Sequence, residues 1–250
     1  MIPVASSVPS RHPPVTVWFL ILINTIIFGI ELGFDDVQFG EFATTWGIVP
    51  LRFTQAEFLG DYIYNYTTFF TSLFIHGGWL HVILNMWFLW IFGHNVEDLM
   101  GARRFALFYL LCGFLSGAVC VIFSPITDIP TVGASGAIAG ILGAYFILFP
   151  RARLIVMFPL IFIPIFFSLP AFAYLVVWFL IQYANTVMPV LGITEESGVA
   201  WWAHVGGFIS GVALSTLFVP HWREHRQWVL DRGNVTGIWM WRDRHPKIFR

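Results

Sequence analysis

The sequence predicts an all-α integral membrane protein built as a bundle of six transmembrane helices. Hydrophobic residues make up 58% of the 250 residues and charged residues only 11%, whereas soluble domains carry about 25% charged residues. So few charges cannot cover a water-facing surface of this size, and the lipid bilayer is the expected environment. The net charge of −1 leaves no basic face for nucleic acid, which we exclude as a partner.

Six apolar segments are each long enough, or nearly so, for the roughly 20 residues that a membrane-spanning helix requires. They cover 15–32, 78–93, 104–123, 134–149, 169–187 and 200–219. The stretch 154–168 is also apolar, but Pro159, Pro164 and Pro170 punctuate it. Because proline breaks helix interiors, we expect an irregular or interfacial connection there and a fifth span that starts near Pro170.

The charges set the orientation of these spans. With both termini inside, all but one of the thirteen Lys and Arg residues fall on the inner side, and Arg52 is the exception. The positive-inside rule therefore predicts a short cytoplasmic N-terminus (1–14), a six-span domain (15–219) and a cytoplasmic C-terminal tail (220–250). The expected location is the inner membrane of a prokaryotic cell.

The first outer loop, about 33–77, is too long to be a simple turn. Its aromatic residues include Trp46, Phe53, Phe58, Tyr62, Tyr64 and Tyr66. Because such rings favour the headgroup level of a bilayer, we expect an interfacial, partly embedded loop. The tail after Pro220 mixes tryptophan with arginine, which suits an element lying on the inner leaflet.

Polar side chains inside spans are costly, and three places carry them. His81 and Asn85 are four residues apart and share a helix face, with His76 at the corner before that span. Ser135 begins the fourth span. His204 lies near the outer end of the sixth span, at the same depth as Ser135. Helix packing or hydrogen bonding within the core would be an ordinary use for each of them.

Small residues at four-residue spacing follow both Ser135 and His204. Gly136-x-x-x-Gly140 comes after Ser135, and Gly207-x-x-x-Gly211 comes after His204. Helices with such faces pack with little separation. The two spans are therefore expected to bring the hydroxyl within hydrogen-bond reach of the imidazole.

This arrangement suits nucleophilic catalysis. Serine needs a base, which His204 can provide at neutral pH, and the oxyanion of the intermediate needs donors, which His81 and Asn85 can provide. No aspartate or glutamate falls in the outer halves of the spans, so a Ser–His dyad is expected instead of a triad.

A metal site built from His76, His81 and His204 is the rival interpretation. The sequence has no His-Glu-x-x-His run and no cysteine at a suitable depth, which argues against a metal. Cys112 and Cys120 are eight positions apart on one apolar run, too far to bridge on a helix. We interpret them as small residues facing lipid or the core.

Four motifs stand in order along the chain: His76-Gly-Gly-Trp-Leu-His81-x-x-x-Asn85, Glu97-x-x-x-Gly101-x-x-Arg104, Gly133-x-Ser135-Gly136 and Ala203-His204-x-x-Gly207. With them the chain resembles a rhomboid intramembrane serine protease of the six-span prokaryotic type. The resemblance runs from about Trp46 to Pro220. It implies a six-helix rhomboid bundle with an interfacial first outer loop.

The resemblance also implies roles for individual residues. Ser135 would be the nucleophile and His204 its base, with an oxyanion hole formed by His81, Asn85 and the backbone amide of Ser135. Supporting positions would include Gly133 beside the substrate, His76 holding the first outer loop, and Glu97 with Arg104 bracing the cytoplasmic side. The family cleaves other membrane proteins in or near their spans, without metal or cofactor.

Two positions depart from the family pattern. Relatives often carry a Trp-Arg pair before the corner histidine, where this chain has Thr67 and Thr68. Relatives also often place an aromatic ring against the catalytic imidazole four residues after the serine, where this chain has Ala139. Either another ring takes that role or the imidazole is held less firmly.

The leading hypothesis is an active intramembrane endopeptidase whose substrates are transmembrane proteins that enter past the fifth span, which has no conspicuous polar face. The alternative is a catalytically inactive rhomboid-like protein that binds membrane proteins. A small-solute transporter is less well supported, because the sequence has no inverted repeat and no paired charges in its spans.

Overall fold

The computed structural model describes residues 1–55, 62–160, 163–193 and 200–219. Its helices are α1 (Val15–Glu31), α2 (Asp36–Trp46), α3 (Tyr62–Thr71), α4 (Trp79–Phe88), α5 (His94–Met100), α6 (Ala102–Phe123), α7 (Ser135–Leu148), α8 (Ala171–Val190) and α9 (Trp201–Phe218). A π-helical turn, Leu89–Gly93, joins α4 to α5. The C-terminal tail, for which an inner-leaflet position is expected, lies outside the described residues, as does Phe58.

Each of the six predicted spans coincides with a helix: α1, α4 with its π turn, α6, α7, α8 and α9. By length and composition, α6 and α8 can cross a membrane. A third candidate is the bent pair Ile63–Phe74 and Trp79–Met100, whose halves meet at 84°. α1 and α7 are apolar but shorter. Membrane-spanning helices are therefore present, and the number six stays a prediction.

The expectation of an irregular connection at 154–168 is wrong, because this stretch forms an antiparallel hairpin. Strands β2 (Arg153–Leu160) and β3 (Ile163–Pro170) pair with each other, and β1 (Ile2–Ser6) pairs with β2 on its other side. Leu154 and Val156 are fully buried while Ile155 is 45% exposed, so side chains alternate as in any strand. Both faces are apolar, which hid that alternation in the sequence. The prolines exclude a helix, but strands accept them near their ends.

The N-terminal segment is part of the fold through β1. The indole nitrogen of Trp87, near the end of α4, donates a hydrogen bond to the carbonyl oxygen of Pro3 at 2.7 Å. Ser6 Oγ and the hydroxyl of Tyr145, near the end of α7, are 2.6 Å apart. The small sheet thus packs across the C-terminal ends of α4 and α7. α8 begins at Ala171, directly after Pro170, as the proline predicts.

Helix α7 lies at the centre of the bundle, with nearly all of its residues buried. Small residues make this possible. A Cβ atom on Gly207 of α9 would lie 3.0 Å from the carbonyl carbon of Gly136, and one on Gly211 would lie 2.6 Å from the carbonyl carbon of Gly140. Backbone therefore packs on backbone, and the close approach expected from the two glycine faces is present.

Glu97 has a different partner from the one expected. Its carboxylate accepts hydrogen bonds from the backbone amides of Thr16 at 2.8 Å and Val17 at 2.9 Å, the first residues of α1 after Pro14. These amides have no partner within their own helix, so Glu97 caps α1. Arg104 is exposed, and no ion pair joins it to Glu97 within the described ranges.

The first outer loop contains α2, α3 and the 3-10 helices Pro50–Phe53 and Ser72–Phe74. The rings of Phe53 and Phe114 both contact Phe69, with centroids 5.2 and 4.8 Å away. Thr71 Oγ1 donates to the carbonyl of Trp46 at 2.6 Å. The hydroxyls of Thr67 and Thr68 donate to carbonyls three residues earlier. Aromatic packing on α6 therefore anchors the loop where relatives often use Trp-Arg.

Candidate active site

Ser135 is the first residue of α7, where the chain turns from an extended segment into the helix. Gly133 makes that turn with φ of +119°, a conformation that L side chains rarely adopt, and its amide donates to the carbonyl of Ser72 at 2.8 Å. Because the first amides of a helix have no partner inside it, the amide of Ser135 is available to an anion at this end of α7.

His204 reaches Ser135 from the neighbouring helix. Its Nε2 atom lies 2.8 Å from Ser135 Oγ. The residue before it is fixed to a third helix, since Ser116 Oγ of α6 donates to the carbonyl of Ala203 at 2.7 Å. The glycine contact between α7 and α9, together with this bond, determines the distance between hydroxyl and imidazole.

The other ring nitrogen of His204 has a partner that the sequence interpretation missed. His204 Nδ1 lies 2.9 Å from Oε1 of Gln182, a residue of α8. The expectation that the fifth span lacks a polar face is wrong, because Gln182 and Thr186 are both buried and lie one helical turn apart. The sequence signal for this polar face is the group Gln182, Asn185 and Thr186 in the second half of α8, although it does not show which residue Gln182 contacts.

His81 and Asn85 lie on α4 and reach the segment just before Ser135. A Cβ atom on Gly133 would stand 2.6 Å from His81 Nε2 and 3.7 Å from Asn85 Nδ2, so both nitrogens face the backbone just before the serine. The amide of Gly77 donates to His81 Nδ1 at 3.4 Å. This places the ring proton of His81 on Nε2, where it can be donated.

Asn85 has an unused donor. Its Nδ2 atom is buried and has no hydrogen-bond partner among the described residues. A buried donor without a partner is costly and needs an explanation. An oxygen atom of a bound reactant between Asn85 and Ser135 would satisfy it.

His76 lies buried at the corner before α4. The side chain is 1% exposed, and its ring lies against that of His81, with centroids 5.0 Å apart. Neither ring nitrogen has a hydrogen-bond partner within the part of the chain described. Its backbone amide instead donates to the Glu31 carboxylate at the end of α1, at 3.2 Å. His76 thus packs against His81, and its backbone amide joins the corner to α1.

A cavity of about 1000 Å³ connects these groups. Its walls include Ser135, His204, His81, Asn85 and Gln182, contributed by α4, α7, α8 and α9. This volume accommodates a short peptide segment beside the hydroxyl. His204 is unsuited to bind a metal here, since both of its nitrogens are already engaged by Ser135 and Gln182.

The Rhomboid domain matches residues 64–221 of the chain, which include Ser135, His204, His81, Asn85 and Gln182. The chain belongs to the rhomboid family. The match covers α3 to α9, so it includes the helices that carry the serine, both histidines of the cavity and the asparagine.

Individual relatives agree with this membership. Rhomboid protein 1, mitochondrial, of Saccharomyces cerevisiae is 28% identical over 58% of this chain and 39% of its own length. Presenilin-associated rhomboid-like protein, mitochondrial, of Mus musculus is 24% identical over 71% of this chain and 40% of its own length. RHOMBOID-like protein 4 of Arabidopsis thaliana is 32% identical over 63% of this chain and 35% of its own length. The chain thus spans about two fifths of these relatives.

The names of two of these rhomboids place them in mitochondria. These names count against the expectation of a prokaryotic inner membrane. The presence of apolar helices long enough to cross a bilayer supports a membrane location for this rhomboid without specifying the membrane.

The structure also answers how this rhomboid holds its imidazole without a ring at position 139. Ala139 is fully buried, and its Cβ atom would be 3.2 Å from a Cβ atom on Gly207. Two other rings flank His204 instead: Trp201 at 5.7 Å and Trp178 at 6.3 Å between centroids. Trp178 of α8 and Trp201 of α9 therefore lie beside the imidazole.

Proposed function

We propose that this rhomboid is an intramembrane serine endopeptidase that hydrolyses peptide bonds in or near the transmembrane segments of other proteins. The observation that carries the proposal is the 2.8 Å contact between Ser135 Oγ and His204 Nε2. Support comes from the orphan donor of Asn85 and the donor nitrogen of His81 beside the same serine.

The reaction follows from this geometry. His204 Nε2 accepts the proton of the Ser135 hydroxyl as Oγ attacks the substrate carbonyl carbon. The oxyanion that forms accepts hydrogen bonds from His81 Nε2–H, Asn85 Nδ2–H and the backbone amide of Ser135. His204 then gives its proton to the leaving amine, and the acyl group stays on Ser135. Water, deprotonated by His204, hydrolyses the ester and frees the serine.

The substrate enters from the bilayer in this proposal. The outer half of α8 exposes Leu180, Ile181 and Tyr183 by about half of their surface, as a wall facing lipid would. α1 likewise exposes Phe19, Leu22 and Ile26. A transmembrane segment that unwinds beside α8 would place its backbone in the cavity near Ser135.

The membrane arrangement belongs to the same proposal. The six-span domain covers 15–219, the segments 1–14 and 220–250 lie on the inner side, and the active site opens to the outer side. The distribution of Lys and Arg supports this orientation. Exposed apolar side chains in the first outer loop, such as Val37 at 71% and Ile63 at 84%, support its interfacial position.

The test compares Ser135→Ala with a matched control, Ser210→Ala, in proteoliposomes with a labelled transmembrane substrate. Ser210 lies on α9, and its hydroxyl donates to the Gly206 carbonyl one turn back, at 2.8 Å. We expect Ser135→Ala to remove cleavage and Ser210→Ala to retain it. A fluorophosphonate probe, which modifies activated serines, should label the protein and the control but not Ser135→Ala. If the unaltered protein binds the substrate without cutting it and is not labelled, the inactive binder is the correct function.

A further inference from the structure

Gln182 is buried, with 7% of its surface exposed, and its side chain makes two hydrogen bonds. Its Nε2 atom donates to the carbonyl oxygen of Trp178, one turn earlier on α8, at 3.3 Å. Its Oε1 atom lies 2.9 Å from His204 Nδ1. The amide nitrogen therefore donates within α8, and the amide oxygen contacts α9.

The bond to Trp178 fixes which way the amide points. Turning the amide over would place its oxygen against the carbonyl oxygen of Trp178, so two acceptors would face each other. The same rotation would remove the acceptor from His204. The main chain of α8 therefore selects the orientation in which Oε1 faces the imidazole.

An amide oxygen only accepts, so His204 Nδ1 must carry the ring proton. In a neutral imidazole the other nitrogen, Nε2, then holds a lone pair, and this is the atom 2.8 Å from Ser135 Oγ. In the opposite tautomer Nε2 carries the proton and cannot accept one from serine. The contact with Gln182 thus selects the tautomer that can act as a base.

We propose that Gln182 is a positioning residue for the endopeptidase reaction, which holds His204 in its proton-accepting tautomer and orientation. The inference rests on the proposed function, because it assigns the support of that same base. Gln182 stands where a triad places its carboxylate, but it is neutral and lies on a different helix from both Ser135 and His204.

The variants Gln182→Met and Gln182→Glu distinguish a positioning role from a packing role. The two roles predict opposite orders of activity for these variants. Methionine keeps the length of the side chain but has no comparable acceptor, whereas glutamate restores an acceptor oxygen and adds a buried charge. If Gln182 positions the base, glutamate is the more active variant. If Gln182 only fills space, methionine is the more active one, because a buried charge is costly.

The expected result for Gln182→Met is a fall in kcat of about 10- to 100-fold with KM unchanged, smaller than the ~10⁴-fold loss when a triad aspartate is replaced by asparagine. The rate of fluorophosphonate labelling should fall by the same factor, since it reports the serine without a transmembrane substrate. Asn185→Leu is the matched control. Asn185 lies on α8 and donates to the carbonyl of Ile181 at 2.8 Å, so it resembles Gln182 without reaching His204.

Nitrogen-15 NMR of labelled histidine gives a second readout that does not depend on activity. The His204 signals, identified by their loss in His204→Ala, should show the Nδ1–H tautomer in the unaltered protein and a mixture or the Nε2–H tautomer in Gln182→Met. Unchanged kcat, labelling and tautomer in Gln182→Met, alongside an inactive Ser135→Ala, would overturn this inference and leave the proposed function standing. An unaltered protein that neither cleaves nor labels would overturn both.

Discussion

The backbones of α7 and α9 touch at Gly136 and Gly207. A Cβ atom on Gly207 would lie 3.0 Å from the carbonyl carbon of Gly136 and 3.2 Å from the Cβ atom of Ala139. Gly136 follows Ser135, and Gly207 lies one turn after His204. The hydrogen bond between serine and histidine therefore depends on the absence of a side chain at Gly207.

Gly207→Ala is expected to separate the two helices at this point. Overpacking of a tight core typically costs about 1–3 kcal/mol, and a displacement of about 1 Å at a catalytic contact costs about 100-fold in rate. We expect a lower melting temperature and a loss of cleavage of that order. The control is Gly40→Ala on α2, where nothing lies within 4 Å of the added atom. Full activity of Gly207→Ala would show that the close contact is not needed.

Ala139→Tyr supplies the ring that relatives often have, and we expect it to reduce activity. Ala139 is fully buried and faces Gly207, so a tyrosine has no room without moving α9. Ile209→Phe, on a side chain that is 55% exposed on α9, is the control for adding a ring. Cleavage and thermal unfolding would be measured in the same detergent. A gain in kcat for Ala139→Tyr would contradict the assignment of Trp178 and Trp201 as the rings around His204.

Asn85→Leu should separate activity from stability. It removes a donor proposed to bind the oxyanion, so kcat should fall by about 10²–10³-fold. It also removes a buried donor that has no partner among the described residues, so the melting temperature should stay equal or rise.

Asn95→Leu is the control, for which we expect a loss of stability without a loss of activity. Asn95 Nδ2 donates to the Val8 carbonyl at 3.1 Å and lies away from the cavity, so its loss should lower stability by about 1–3 kcal/mol and leave kcat unchanged. Equal effects of the two substitutions on kcat would argue against an oxyanion role for Asn85.

Glu97→Gln tests the cap on α1. The carboxylate accepts from two backbone amides, and charge-assisted bonds at a helix N-terminus are stronger than neutral ones. We expect the free energy of unfolding to fall by about 1–2 kcal/mol, with kcat per folded molecule unchanged. Glu41→Gln, on an exposed residue of α2, should change neither. Thermal unfolding monitored by circular dichroism would distinguish the two variants.

The sequence predicts most of the helices because a membrane span is a long apolar run, and each predicted run contains a helix. The approach of α7 to α9 is also predictable, because glycines at four-residue spacing mark a contact face. The pairing of the serine with the histidine follows from that spacing in the sequence alone. Their assignment to catalysis stays a proposal.

Other features depend on contacts that no local pattern encodes. The bond from Gln182 to His204 requires a particular rotation of α8 against α9, and one glutamine does not reveal it. The sheet was missed because Ile155 is as apolar as its buried neighbours Leu154 and Val156, so the strand shows no alternation of polarity. The cap on α1 joins residues 80 or more positions apart, and no local pattern around Glu97 indicates such a distant partner.

The position of His204 on α9 has a consequence for biosynthesis. Ser135 and His204 are 69 residues apart in the chain, and α9 is the last helix in the described residues. At about 5–20 residues per second, the ribosome makes the imidazole on the order of 3 to 14 s after the serine. During that interval the hydroxyl lacks the imidazole that the proposed mechanism requires, so under the proposed function a chain still being inserted does not cleave the membrane proteins around it.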